Sequence, residues 1–366
     1  MHYALESSVN IHDDVLQKEL STTSDDRMKT IISTIQKEQN KIVRNESAHT
    51  LVIQGVAGSG KSAIALHRIA YLLYKHKETL SSDQITIISP NKIFADFIAN
   101  VLPELGEEPV REETFDDIAL DLLPKNINVE PSYEQTKRII AEPHSSYAHR
   151  AKLKSSLTFF KQLSNYVEEI DTTIFQPDKD IHIGDTLITK DYLLSRFQSY
   201  KKLPVKQRLA ELSNDILDVI KTSKTAEIKK TPSKKEVIKR LCNDLTFSDA
   251  RSIYIHFFKA MNKCDSLNWD KKRLEYQDVF PYIYCIHYFN GIQSFDLVKH
   301  LVIDEMQDYS PVQYAVINNL FQCKKTILGD FGQTLNPFSL SSDESFRNIF
   351  NKMEFVELKK KLSIIL

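Results

Sequence analysis

The chain has 366 residues, 42% hydrophobic and 27% charged, with a formal net charge of −1. On a scale of about 150 residues per domain this allows two domains with real cores, and it excludes fibrous, collagen-like and wholly disordered classes. Glycine is scarce, 8 residues in the whole chain against a usual share of ~7%. Five of those eight, Gly55, Gly58, Gly60, Gly329 and Gly332, fall in two short stretches, marking where the backbone itself has a task.

Four cysteines (Cys242, Cys264, Cys285, Cys323) form no CxxC pair, so neither a disulfide framework nor a zinc ribbon is expected. The histidines show no HExxH spacing. There is no apolar run of 18 residues and no basic-then-apolar leader, so the expected setting is cytoplasmic with no membrane partner. The near-zero net charge hides segregation. Residues 221–240 hold eight Lys or Arg against Glu227 and Glu236, whereas residues 96–121 hold nine acids against Arg111. The basic stretch reads either as a line of phosphate contacts in a helical region or as a solvated loop. The acidic stretch reads as solvated surface.

In chain order, Met28, Ile31, Ile32 and Ile35 fall at i, i+3, i+4, i+7, which predicts an amphipathic helix that Ser24 or Asp25 could cap. The apolar run 51–54 then breaks into glycine, as a buried strand entering a tight turn does. Residues 61–75 are apolar nearly all round, the pattern of an enclosed helix. Further strand-like runs at 85–89, 301–304, 326–329 and 355–358 alternate with helical stretches, predicting a parallel sheet with helices on both faces. Between about 120 and 280 the texture is helical (Leu209, Leu212, Ile216, Ile220), with one strand candidate at 181–188. The aromatics Trp269, Tyr276, Phe280, Tyr282, Tyr284, Tyr288 and Phe289 read as core packing. His67 and Arg68 read as packing or helix-surface residues.

Gly55-Val56-Ala57-Gly58-Ser59-Gly60-Lys61-Ser62 fits GxxxxGK[ST] between a strand and a helix. Its glycines let backbone N–H groups converge on phosphate oxygens, and the helix terminus adds positive charge. Lys61 is then expected on the β and γ phosphates and Ser62 on Mg²⁺. A strand ending in Asp304-Glu305 supplies the partner acids, Asp304 for the metal and Glu305 to deprotonate an attacking water. Leu328-Gly329-Asp330-Phe331-Gly332-Gln333 ends another strand on the same sheet edge, where ligands of parallel sheets bind, so Gln333 is placed to sense a γ-phosphate.

Together these pieces resemble the superfamily 1 helicase ATPases of the UvrD/Rep type. Residues 54–62 look like that family's first motif, Asp304-Glu305-Met306-Gln307-Asp308 like its DExQD box, and Gly329-Asp330 with Gln333 like its third motif. Ile35-Gln36-Lys37-Glu38-Gln39 resembles the Q motif, which implies Gln39 on the adenine. Thr114-Phe115 and Asn91-Lys92 stand where the family's strand-contacting motifs fall. Within the family, residues 34–39, 65–74 and 304–311 are worded like HelD-type motors, which release stalled RNA polymerase. Thr334-Leu335-Asn336-Pro337 stands where unwinding relatives carry a base-stacking aromatic, with Phe338 as a substitute.

The resemblance implies a RecA-like α/β P-loop NTPase domain with a large, mostly helical insertion. It divides the chain into a helical remnant (1–25), the motor domain (26–120 and 280–358), the insertion (121–279) and a divergent tail (359–366). ATP and Mg²⁺ are the implied cofactors, held by Gln39, Gly55, Ala57, Gly58, Ser59, Gly60, Lys61, Ser62, Asp304 and Asp330, with Glu305, Lys61 and Gln333 acting in catalysis. Nucleic acid, DNA ahead of RNA, and RNA polymerase are the implied partners. The resemblance also implies truncation at both ends, with the second motor domain and its arginines lost, so that two functions are expected: a hydrolysing motor in the full-length protein, or a module that binds ATP with little turnover. After Lys359 the family continues Lys-Ser-Tyr-Arg-Ser, whereas this chain reads Lys360-Lys361-Leu362-Ser363-Ile364. One extra adenine in a lysine-coding run produces that change, and the hypothesis fails if the other reading frame of the gene holds no such continuation.

Overall fold

The computed structural model describes residues 37, 39–90, 108, 110–183, 186–222, 232–270, 273–333, 349–350 and 353–358. The expected helix around Met28–Ile35, the segments 1–25 and 359–366, Asn91-Lys92 and residues 334–338 lie outside them.

The chain runs through β1 (Thr50–Gly55), α1 (Lys61–Lys75), β2 (Ile85–Ile88), β3 (Arg111–Glu113) and α2 (Phe115–Leu122). A helical region follows: β4 (Asn128–Val129), α3 (Ser132–Ala141), α4 (Ser146–Lys154), α5 (Leu157–Ile170), β5 (Ile181–Ile183), β6 (Thr186–Ile188), α6 (Lys190–Ser199), α7 (Val205–Thr222), α8 (Lys234–Cys242), α9 (Ala250–Ala260), β7 (Trp269–Asp270) and β8 (Arg273–Leu274). Then come α10 (Tyr276–Asn290), β9 (His300–Ile303), α11 (Pro311–Leu320), β10 (Lys324–Gly329) and β11 (Met353–Leu358).

Six of these strands form one parallel sheet in the order β11-β1-β10-β9-β2-β3. Alternation of side chains sends Leu51, Ile53, Ile85, Ile87, Val302 and Leu328 to one face, where α1 packs Ile64, Ala65 and Ile69 on them. Val52, Leu301, Ile303 and Ile327 go to the other face with Phe280, Ile283 and Ile317 of α10 and α11. Both faces are therefore covered, and the strands read as continuous apolar runs. This is the α/β architecture of a RecA-like domain. One expectation is corrected: α1 is not enclosed, because Ala63, His67 and Tyr74 lie on an exposed side.

Two further corrections concern short elements. The strand candidate at 181–188 is an antiparallel pair, β5 with β6, and β4, β8 and β7 form a second small sheet, each too short to show a period. The acidic stretch is not simply solvated from residue 111 onward. β3 forms the edge of the main sheet, and α2 buries Phe115, Ile118 and Ala119 while Thr114 and Asp117 make its capping box. Asp116 faces inward and accepts hydrogen bonds from the Ser132 N–H and hydroxyl at 3.2 and 2.8 Å.

In the helical region Leu209, Leu212, Ile216 and Ile220 are buried along α7, as their spacing predicts. The aromatics before β9 are packing residues: Phe280, Tyr282 and Phe289 are buried, Trp269 packs against Tyr282, and Tyr288 donates to Asp171. Lys154 of α4 is tied to α10 by an ion pair with Asp278 at 2.6 Å, both side chains fully enclosed, and Tyr254 of α9 donates to the same carboxylate at 2.7 Å. Removing one partner of such a pair leaves a buried charge and typically costs about 3–5 kcal/mol, so this contact specifies how α4 and α9 sit on α10. The basic stretch is described only in part; Lys234, Lys235, Lys239 and Arg240 form the exposed side of α8, whose Val237 and Leu241 are buried.

Candidate functional site

The turn between β1 and α1 lies at the carboxyl edge of the sheet. Gly58 and Gly60 hold φ of 74° and 89°, a region that strains any residue with a Cβ. Gly60 is also the N-cap of α1, and no side chain caps that end. The first N–H groups of the helix therefore face the turn without a side-chain acceptor. Val56, Ala57 and Gly58 are exposed, while the Ser59 hydroxyl is buried with no hydrogen-bond partner. The Lys61 ammonium lies across the mouth, donating to the carbonyls of Gly55 at 2.5 Å and Val56 at 3.3 Å. Among the described residues it has no carboxylate partner. Ser62 follows in the first turn of α1, half-buried.

Gln39 reaches the same place: a Cβ built on Gly60 would lie 3.7 Å from its Nε2. The Q-motif glutamine and the glycine turn are thus neighbours in space.

β9 delivers the acids. The Asp304 N–H extends the ladder by donating to Ile88 at 2.9 Å, which fixes where its side chain emerges. The carboxyl is buried and pushed up to about 7 by that burial and by the charge of Glu305, with Lys61 pulling it back. Glu305 adopts a left-handed φ of 50°, uncommon for a residue with a long side chain and a form of strain that gathers at working sites. Asp308 is pushed up to about 6 by burial and by Glu305.

Gln307 had no role in the sequence reading, yet it joins two motifs. Its amide donates to Glu305 Oε2 at 2.6 Å, and its carbonyl oxygen accepts from the Asp330 N–H at 2.9 Å. The approach is close: a Cβ on Gly329 would come within 2.7 Å of the Met306 backbone nitrogen, so glycine is needed there. The only signal in the sequence was Gln307's place inside the acidic box. Asp330 is buried and accepts from the Gly332 N–H at 2.9 Å, shaping the turn after β10. The backbone of Gln333 lies in that turn, Phe331–Gln333.

The described strand-contacting candidates behave differently. Thr114 is occupied in capping α2, and Phe115 is buried, with its ring centroid 4.2 Å from that of Tyr309 and 5.4 Å from that of Phe280. Phe115 is thus a packing residue rather than an open stacking surface. Both still border a cavity of about 410 Å³ that Asp308, Tyr309, Tyr276 and Gln313 also line.

The turn, the acids and the third motif stand together at one sheet edge, and they fit a metal–triphosphate in three respects. The Ser59 hydroxyl and the helix terminus lack partners, Lys61 is held only by carbonyls, and Asp304 is a buried carboxyl with no cation bonded to it. Comparison with known families matches residues 35–353 to the UvrD/REP helicase N-terminal domain. Comparison with curated proteins found no match.

Proposed function

This chain belongs to the UvrD/REP helicase N-terminal domain family, and from that premise we propose that it binds Mg·ATP between the β1–α1 turn and the end of β9 and hydrolyses it there. The observation that carries this reading is that the Lys61 ammonium stands near enough to the buried Asp304 carboxyl to offset part of its burial, with the strained Glu305 next to it. In this reading Lys61 exchanges its carbonyl partners for phosphate oxygens, with the N–H groups of Gly58 and Gly60 lining the cradle of Gly55–Lys61. Ser62 and Asp304 would hold Mg²⁺, which supplies charge neutralisation at the phosphate oxygens. Glu305, held by Gln307, takes the proton of the attacking water. Asp330 keeps the third motif in place beside Gln307, Gln333 contacts the phosphate end, and Gln39 contacts the base.

Coupling of that hydrolysis to movement on nucleic acid, DNA ahead of RNA, is the motor function we assign. The finer assignment is a HelD-type motor that acts on RNA polymerase, supported by the wording of residues 34–39, 65–74 and 304–311. Binding of purified RNA polymerase, abolished by neither Lys61→Ala nor nuclease treatment, would support it; binding lost with nuclease would leave nucleic acid alone as the partner.

The deciding experiment measures ATP affinity and turnover for the chain, for Lys61→Ala and for Glu305→Gln. Affinity lost in Lys61→Ala, with turnover lost and affinity kept in Glu305→Gln, supports a hydrolysing site. Affinity without turnover in the parent chain supports a binding module instead. No ATP affinity in the parent chain overturns both.

A further inference from the structure

The opposite edge of the sheet holds a second concave site. The amino ends of β9 and β10 and the carboxyl end of α1 enclose a cavity of about 180 Å³, bordered by Glu46, Arg68, His76, Lys299, His300 and Lys324. Its floor is buried: Arg68 is 2% and His300 4% exposed. Arg68 donates to the Thr326 hydroxyl at 2.9 Å and to the carbonyls of Ile42 and Val43 at 3.0 and 2.9 Å. Lys299 and Lys324 at the rim donate to the carbonyls of Asp296 and Glu46 at 3.2 and 2.7 Å. All of these acceptors are uncharged.

The only carboxylate bordering the cavity, Glu46, is already engaged by Lys75 at 2.5 Å, His76 at 3.0 Å and the Tyr71 hydroxyl at 3.0 Å. Among the described residues, Arg68, Lys299 and Lys324 therefore face one small space without a bonded counter-charge. The consequence is felt nearby. His300 is pushed down to about 3 by burial and by the charges of Arg68, Lys324 and Lys325. Lys75 and His76 complement the carboxyl end of α1, and Lys299 and Lys324 stand at strand starts beside it.

We infer that this cavity binds a phosphate group, free or as a small monoester, at a site separate from the glycine turn. Lys299 and Lys324, now on carbonyls, supply flexible charge-assisted donors, and Arg68 supplies a fixed field behind them. The volume admits a tetrahedral oxyanion with its neighbours, and Arg68, buried beneath it, acts where competition from water is weakened.

The test is thermal melting of the full chain in the Lys61→Ala background, which disables the glycine turn as a phosphate site, titrated with inorganic phosphate or glycerol 3-phosphate against chloride at equal ionic strength. A saturable rise in melting midpoint that Lys299→Gln/Lys324→Gln abolishes and Lys299→Arg/Lys324→Arg keeps supports the site. Response to inorganic phosphate alone identifies the free ion, and response at lower glycerol 3-phosphate concentration identifies a monoester. A rise equalled by chloride, retained by the Gln pair, or absent with both ligands overturns it. A cooperative melt of the Gln pair in phosphate-free buffer shows that the variant is folded and, needing no nucleotide, keeps this outcome distinct from failure of the ATP reading.

Discussion

At the carboxyl edge of the sheet β9 and β10 run out into Asp304, Glu305 and Asp330, whereas at the amino edge the same two strands begin beside Lys299, His300, Lys324 and Lys325. Burial acts on both edges in opposite directions. It raises Asp304 and lowers Lys325 and His300, because each group is taken from water in the form that water solvates best. The solutions differ. The amino edge satisfies its innermost cation permanently, with Lys325 donating to the carbonyls of Phe321 at 2.6 Å and Cys323 at 3.1 Å. At the carboxyl edge Asp304 stays without a bonded cation, and Glu305 stays in a strained backbone. Folding alone therefore satisfies Lys325, whereas Asp304 is bonded to none of the described cations.

Breaking the carboxyl edge should have the largest effects. Glu305→Gln removes the base and should lower ATP turnover by about 100-fold or more, with ATP affinity retained in equilibrium titration. Gln307→Ala releases Glu305 and leaves the Asp330 N–H without its acceptor. Losing one hydrogen bond worth about 1.4 kcal/mol in the transition state predicts a roughly tenfold fall in kcat, and unchanged ATP affinity would separate positioning from binding. An unaltered kcat in that variant would show that the clamp is structural only.

At the amino edge the effects of Lys325 and His300 should appear in stability. Lys325→Met strands two carbonyls and should cost about 1–3 kcal/mol in a denaturant midpoint, with ATP affinity untouched. His300 supplies the pH dependence. Its folded value, about 3, lies below the ordinary 6.5, so the unfolded chain takes up the proton first. Its contribution is complete above about pH 6.5 and is lost as pH falls toward 3. His300→Gln should therefore show a shallower loss of stability across that window, measured in phosphate-free buffers. An equally steep loss would assign the acid sensitivity to other groups.

Much of the site was legible because its parts obey local rules. A glycine turn after an apolar run and before a helix needs no distant information, and the acids of 304–305 announce themselves by ending a buried strand. The elements that escaped were those whose local signal is weak. β3 and α2 interleave the acids Glu112, Glu113, Asp116, Asp117 and Asp121 with their apolar residues, so the buried Phe115, Ile118 and Ala119 were hidden within a charged run. β4, β7 and β8 are two residues long and have no period to read. Phe115 stands, with Thr114, where the resembled family's strand-contacting motif falls, and only the packing of Tyr309 and Phe280 on its ring makes it core.

By itself, the order of residues determined which apolar runs become strands, where the backbone must turn through glycine, and which side chains are candidates to hold a phosphate and a metal. Those properties follow from hydrophobic period, backbone freedom and ionisation, all of which belong to short stretches of chain. Tertiary structure alone decided which partners meet. Arg68 finds Thr326 from 258 positions away, Gln307 ties Glu305 to Asp330, and three cations converge without a bonded counter-ion among the described residues. Such meetings depend on strand order and on burial, which set the local dielectric and hence the sign and size of every charge effect, and no short stretch of sequence contains either.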